Sequence, residues 1–219
     1  MLYKGSNKIG QVYKGNTKIG QIYKGNTLIW SSDPYDIDEI VFESSTAGTY
    51  PVNIAGDGLY EVYCIGGGGG VAVDMYTMLT KRRFCSAGGG SGSGFIGILQ
   101  ISSNNYTIIV GSGGSSGMRE WGSAGTNSSI SNIITSYAGN GGRANPSSLH
   151  SGTGGAIPNI YVPIISYTLN TTGKSGGTSF NGTSTTGGAS VYNGYGAGSG
   201  NISYSGTSGY VKIVYKGQG

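Results

Sequence analysis

Any chemistry in this chain must start from few groups. The 219 residues include one histidine, His150, two cysteines, Cys64 and Cys85, and nine carboxylates. Catalysis needs tunable acids, bases or nucleophiles gathered in one place. His150 lies in a Ser/Gly stretch, so a Ser-His-Asp arrangement can be imagined. No helix is foreseen to complete a nucleophile elbow, and one acid, Glu120, follows residue 74. A glycosidase needs two carboxyl groups flanking a bond. Asp33, Asp36, Asp38 and Glu39 cluster, but in a linker. Calcium ligation by Asp33, Asp36 and Asp38 lacks the glycine and terminal glutamate of an EF-hand loop. Gly173-Lys174-Ser175 resembles the end of a phosphate-binding loop. That loop also requires glycine five positions earlier, where Thr168 stands. The cysteines form no CxxC pair, which argues against zinc. Cys64 falls in an apolar strand pattern and reads as a buried thiol, and a Cys64–Cys85 bond stays open. The chain is read as a non-enzyme without cofactor or metal.

What remains is a display chemistry. Trp121, Arg119, Arg143, His150, Tyr192 and Tyr195 lie in or beside Gly/Ser-rich loops and are the candidate receptor-facing residues. Aromatic faces with Ser, Asn and Gly nearby suit adaptable recognition, including that of sugars. The same tyrosines also serve to cover a thin core.

Positioning such groups falls to strands. Glycine supplies 45 residues, and Gly, Ser, Asn and Thr disfavour helix. No sustained 3.6-residue apolar period occurs. The predicted class is all-β: a short repeated β-hairpin arm followed by a glycine-rich antiparallel β-sandwich or jelly-roll-like domain.

Residues 1–30 repeat with a period of ten: Tyr3-Lys4-Gly5-Ser6-Asn7, Tyr13-Lys14-Gly15-Asn16-Thr17, Tyr23-Lys24-Gly25-Asn26-Thr27. Each copy sets Gly-Asn or Gly-Ser between β-prone runs, a hairpin signal. A turn at Gly15-Asn16 pairs Val12 with Ile19 and Tyr13 with Lys18. Hairpins this short are marginal alone. The arm is therefore read as an anchor or oligomerisation element, with Tyr3, Ile9, Tyr13, Ile19, Tyr23, Ile29 and Trp30 as contact residues. Residues 31–43 form an acidic linker with a strand at Glu39–Glu43. Residues 44–219 form the display domain. Its clearest strands are Thr49–Ile54, Leu59–Ile65, Phe95–Ile101, Tyr106–Val110 and Tyr210–Tyr215. Residues 111–208 carry recurrent glycine pairs and sparse apolar runs, at Ser129–Tyr137 and Ile157–Leu169. They are expected to form a compact loop layer at one end of the sandwich. Glycine lets backbones approach closely there, in polyproline-II-like or short-strand layers.

Charge is segregated. Residues 1–30 carry five lysines and no acid, residues 31–74 eight acids and no base, and residues 75–219 eight bases and one acid. Such blocks favour complementary docking between segments or subunits. No basic run exceeds Lys81-Arg82-Arg83, so no nucleic-acid partner is expected. No apolar segment reaches membrane-span length, and the amino terminus lacks a leader-like apolar core, so no membrane association is expected.

The order of parts resembles the glycine-rich fibre and adhesin proteins of tailed bacteriophages. The carrying residues are Gly48–Val52, Leu59–Ile65 running into Gly66–Gly70, Gly88–Gly94 with Phe95–Ile101, Tyr106–Val110 into Gly111–Gly114, and Ser208–Val211. The Tyr-Lys-Gly-Asn-Thr repeats are similar to amino-terminal segments of gut-phage structural proteins, including those of crass-like phages. The resemblance implies a homotrimer joined to a capsid or tail protein by its amino terminus. It further implies glycine-rich loops exposed on the virion, with a host-surface glycan as the candidate ligand. A carbohydrate-binding module or bacterial surface adhesin is the alternative, and a depolymerase enzyme a third. The insert Val71–Phe84 departs from the pattern and is read as a subunit contact.

Overall fold

The structure is a computed structural model. It describes the chain except residues 1, 2, 5, 6, 9–11, 15, 16, 20, 25, 26, 32–34, 79, 80, 119, 146, 147, 181–183, 202, 203 and 219. The fold is all-β, as composition predicts.

In the arm, Tyr3–Lys4 pairs with Asn7–Lys8, Val12–Lys14 with Thr17–Ile19, and Gln21–Lys24 with Thr27–Ser31. The predicted register of the second hairpin is found: Val12 opposes Ile19 and Tyr13 opposes Lys18.

Two five-stranded sheets form a sandwich. One has the order Ile164–Thr171, Gly94–Ile101, Gly58–Ile65, Tyr210–Gly217, Ile40–Ser44. The other runs Asn159–Ile160, Ile134–Ser136, Ser128–Ile130, Asn104–Val110, Gly48–Ile54. Successive side chains of a strand point to opposite faces. Tyr60, Val62 and Cys64 therefore face inward together, as do Tyr106, Ile108 and Val110, and Val211, Ile213 and Tyr215. These rows interlock with Phe95, Leu99, Ile54 and Ile130 in one buried core. The hydroxyl of Tyr60 donates to the Gly56 carbonyl at 2.6 Å, so the ring is buried without orphaning its oxygen.

The glycine-rich residues are not a loop layer, and they do not begin at residue 111. They form extended segments that prolong the sandwich strands. Segment 66–70 shows the rule. Gly66 and Gly69 donate to Ser93 and Gly90, Gly67 and Gly70 to Thr126 and Ser123, and Gly68 to Thr207. Every third residue bonds the same neighbour. That is the threefold repeat of the polyproline II helix, with its hydrogen bonds directed outward to other segments. Carbonyls accept on the same scheme: Gly139 and Gly142 donate to Gly67 and Gly70, Gly114 to Gly68, and Ser199 to Gly69. Segment 66–70 is thus ringed by 88–93, 122–127, 205–209, 137–142, 111–117 and 196–200. Segment 88–93 is ringed in the same manner, adding 151–155, 172–177 and 185–188. The result is a hexagonally packed bundle. Glycine is required by sterics at its centre: a Cβ on Gly68 would collide with the Ala197 carbonyl, and one on Gly69 with that of Asn140. Ordering this much glycine is entropically costly. A nearly complete set of inter-segment backbone hydrogen bonds offsets it.

Beyond the bundle lies a second set of small sheets, termed the tip. Ala72–Met78 and Lys81–Ala87 form a hairpin flanked by Gly117–Met118 and Thr178–Ser179. The Gly117–Met118 pairing is parallel. The Val71–Phe84 insert is therefore the scaffold of the tip. Cys85 lies there and Cys64 in the sandwich, and both thiols are free, so the open Cys64–Cys85 bond is not formed. The acidic strand is found one residue later than predicted, at Ile40–Ser44.

Candidate functional site

A three-stranded sheet at the tip joins Glu120–Trp121, Arg143–Asn145 and Ser148–His150. Each strand abuts a bundle segment. Trp121 immediately precedes Gly122, Arg143 immediately follows Gly142, and His150 leads into 151–155. Gly122 donates to the Gly142 carbonyl at 2.9 Å, and Gly142 donates to that of Gly70 at 3.0 Å. The last rung of the bundle thereby fixes the backbone spacing of Trp121 and Arg143.

Register then brings three side chains into a row. Trp121 opposes Arg143, and Arg143 opposes His150. Directly opposed residues share a face of the sheet. The other face carries Ala144, which packs with Ala72, Cys85 and Ala87 and lets the sheet settle onto the hairpin. The Arg143 guanidinium carbon lies 4.4 Å from the Trp121 ring centroid, a cation–π contact. Trp121 is nonetheless 58% exposed. The buried Nε of Arg143 has no hydrogen-bond partner among the described residues. His150 Nε2 is hydrogen-bonded to Ser148 Oγ at 2.6 Å. At the sandwich, ion pairs join Lys212 to Glu43, and Lys216 to Asp38 and Glu61. Beside the tip, a groove of about 440 Å³ is lined by polar groups including Ser184, Thr185, Asn201 and Tyr204.

Three of the predicted receptor-facing residues are therefore neighbours: Trp121, Arg143 and His150. Tyr192 and Tyr195 are not with them. They flank a turn at the sandwich end of the bundle, where Asn193 and Gly194 take φ of 43° and 84°. Tyr195 stacks on Tyr210 with centroids 4.5 Å apart and planes 8° apart, and Tyr192 packs on Tyr63 and Tyr210. The Tyr210 hydroxyl donates to Glu43 Oε1 at 2.6 Å. That bond, helped by Lys212 and opposed by desolvation, holds the Glu43 carboxyl below its ordinary value. Composition did not reveal this cluster, whose members are scattered over residues 43–212. Arg119 and the anchor candidate Ile9 lie outside the described residues. Tyr3, Tyr13, Ile19, Tyr23, Ile29 and Trp30 fall in the strands of the three hairpins. The local signal for the row was present, since each member sits at the edge of a glycine segment.

No three His, Cys, Asp or Glu side chains among the described residues group to hold a metal ion. Asp33, one of the three acids weighed for calcium, lies outside the described residues.

The sequence profile of a family described as a glycine-rich domain matches residues 44–219. The chain belongs to this glycine-rich domain family. The match takes in the bundle, the tip and the sandwich strands other than Ile40–Ser44. No curated protein matches the chain. In this glycine-rich domain the family's defining residue is the one that close packing of the bundle demands.

Proposed function

We propose that the chain is a structural fibre protein of a bacteriophage virion, on the head or the tail. Residues 1–30 attach to a capsid or tail protein, and the glycine-rich domain is displayed. The observation that supports this reading most is polarity. The arm and linker join the sandwich through Ile40–Ser44. The Trp121–Arg143–His150 row stands at the opposite end of the bundle, about 16 Å away for five residues at 3.1 Å each. An attached end and a presented end are what a fibre tip requires.

The assembly proposed is a homotrimer. Its supporting feature is the edge strand Ile164–Thr171. Ile164, Ile165 and Tyr167 are exposed there, with Ile157 and Tyr161 just before it. Residues 151–173 carry no charge. Natural edges are usually blunted by charge against pairing, and this one is left apolar.

The test is mass spectrometry and immunogold labelling of purified particles, with a carboxy-terminal epitope tag. The fibre reading expects the chain in the particle and the tag on its surface. Absence from particles would overturn it in favour of a free carbohydrate-binding module or bacterial adhesin. Light scattering of the purified chain tests the trimer, and a monomer at all concentrations rejects it.

A further inference from the structure

We infer that the Trp121–Arg143–His150 row is a binding site for an anionic saccharide, one bearing carboxylate or phosphate groups. The inference deepens the display reading above and rests on it.

Three features converge. First, the row is preformed. Its backbone is held by the terminal hydrogen bonds of the bundle, so little conformational entropy is lost on binding. Second, its chemistry is divided as a charged sugar requires. The exposed indole of Trp121 offers an apolar plane for the C–H face of a pyranose ring. Arg143 and His150 stand beside it as donors for an oxyanion. Arginine suits both carboxylate and phosphate because its planar fork matches either one. Third, Arg143 retains hydrogen-bonding capacity. The ion pairs Lys212–Glu43, Lys216–Asp38 and Lys216–Glu61 involve neither Arg143 nor His150, and the Nε of Arg143 has no hydrogen-bond partner among the described residues. A neutral glycan would stack on the indole and accept hydrogen bonds but leave the Arg143 charge unmatched.

Cation–π contact gives the pair a further use. The guanidinium over the ring fixes the indole while Trp121 as a whole remains exposed. Ser148 holds the imidazole of His150 by one hydrogen bond. The three side chains are therefore oriented before a ligand arrives.

The test uses the full chain, titrated calorimetrically with three probes: oligogalacturonate, a poly(glycerol phosphate) oligomer and neutral maltohexaose. Binding of one or both anionic probes, with maltohexaose much weaker, is the expected result. Which anionic probe binds tells carboxylate from phosphate. Arg143→Gln and Trp121→Ala are each expected to weaken binding by about tenfold or more, the scale of one lost charged hydrogen bond or stacked ring. Arg143→Lys and Trp121→Phe guard against misfolding. They keep the positive charge and an aromatic plane, respectively, and are expected to give intermediate affinity with native circular dichroism. Equal binding of maltohexaose, no binding of either anionic probe, or unchanged affinity in all four variants overturns the inference. The particle experiment separates the two proposals. A chain found in virions that binds neither anionic probe ends the saccharide site alone. A chain that binds but is absent from virions ends the fibre reading alone.

Discussion

The carbonyl oxygen of Ala197 occupies the place where a Cβ on Gly68 would stand. Gly68 does not adopt a left-handed φ, so its need for glycine is steric and not conformational. The obstacle is backbone from another segment, which no rotamer change can clear. Gly68→Ala is therefore expected to destabilise the domain by about 3 kcal/mol or more, at the upper end of overpacking effects. Gly194→Ala is the contrast. Nothing lies within 4 Å of its Cβ position, but its φ is +84°. It should cost only about 1 kcal/mol, the usual penalty for a left-handed non-glycine residue. Urea denaturation of the two variants reads the difference directly.

The sandwich was legible in the sequence because its apolar rows alternate. Tyr60, Val62 and Cys64, or Val211, Ile213 and Tyr215, announce a period of two by residue type alone. The bundle was not legible as a bundle. Its residues carry no side-chain pattern, and its order lies in which backbone bonds which neighbour. Gly66–Gly70 reads as a tail of the strand Gly58–Ile65, yet it is the centre of six segments. The site was half legible. Trp121, Arg143 and His150 stood out by type, but their adjacency depends on a cross-strand register that bundle geometry sets. Tyr192 and Tyr195 looked alike in composition and were separated only by the fold.

Tyr195 is expected to be a stability residue. Its ring lies almost parallel to that of Tyr210, and Ser190 Oγ donates to its carbonyl at 2.6 Å, which closes the turn. Tyr195→Ala should cost about 1–3 kcal/mol, from lost ring burial together with the lost stacking. Affinity for any saccharide probe should be unchanged. A thermal melt and one titration together decide whether the residue serves the turn or a ligand.

Glu43 gives an acid limb with a definite sign. Its folded carboxyl titrates below its ordinary value of 4.5, first because Tyr210 donates to it. Its contribution is therefore fully present above the ordinary value and is lost as pH falls through the lowered one. The side chain is 43% exposed, so screening keeps the effect under about 1 kcal/mol. Tyr210 itself titrates above its ordinary 10.0, mainly through burial, so its contribution is lost as pH rises past that value. Tyr210→Phe should lower stability at neutral pH and flatten both limbs. Urea midpoints for wild type and variant, at about pH 3, 7 and 10.5, check the slopes.

The two thiols should report on opposite ends of the molecule. Burial pushes Cys64 up to about 11, and its Sγ donates to the Ser128 carbonyl inside the sandwich core. Cys85 is also raised by burial, and its Sγ donates to the Asp74 carbonyl in the tip. The thiolate is the reacting form, so both should resist alkylation at neutral pH while the chain is folded. Denaturant should expose them in sequence if the tip opens before the sandwich. Among the described residues the tip core holds little more than Ala72, Cys85, Ala87, Ala144 and part of Leu149, whereas the sandwich core is large. Alkylation at rising urea, followed by peptide mass mapping, is expected to label Cys85 first. Simultaneous labelling would mean that the bundle couples both ends into one cooperative unit, so that the weak tip core is held shut by the inter-segment hydrogen bonds beneath it.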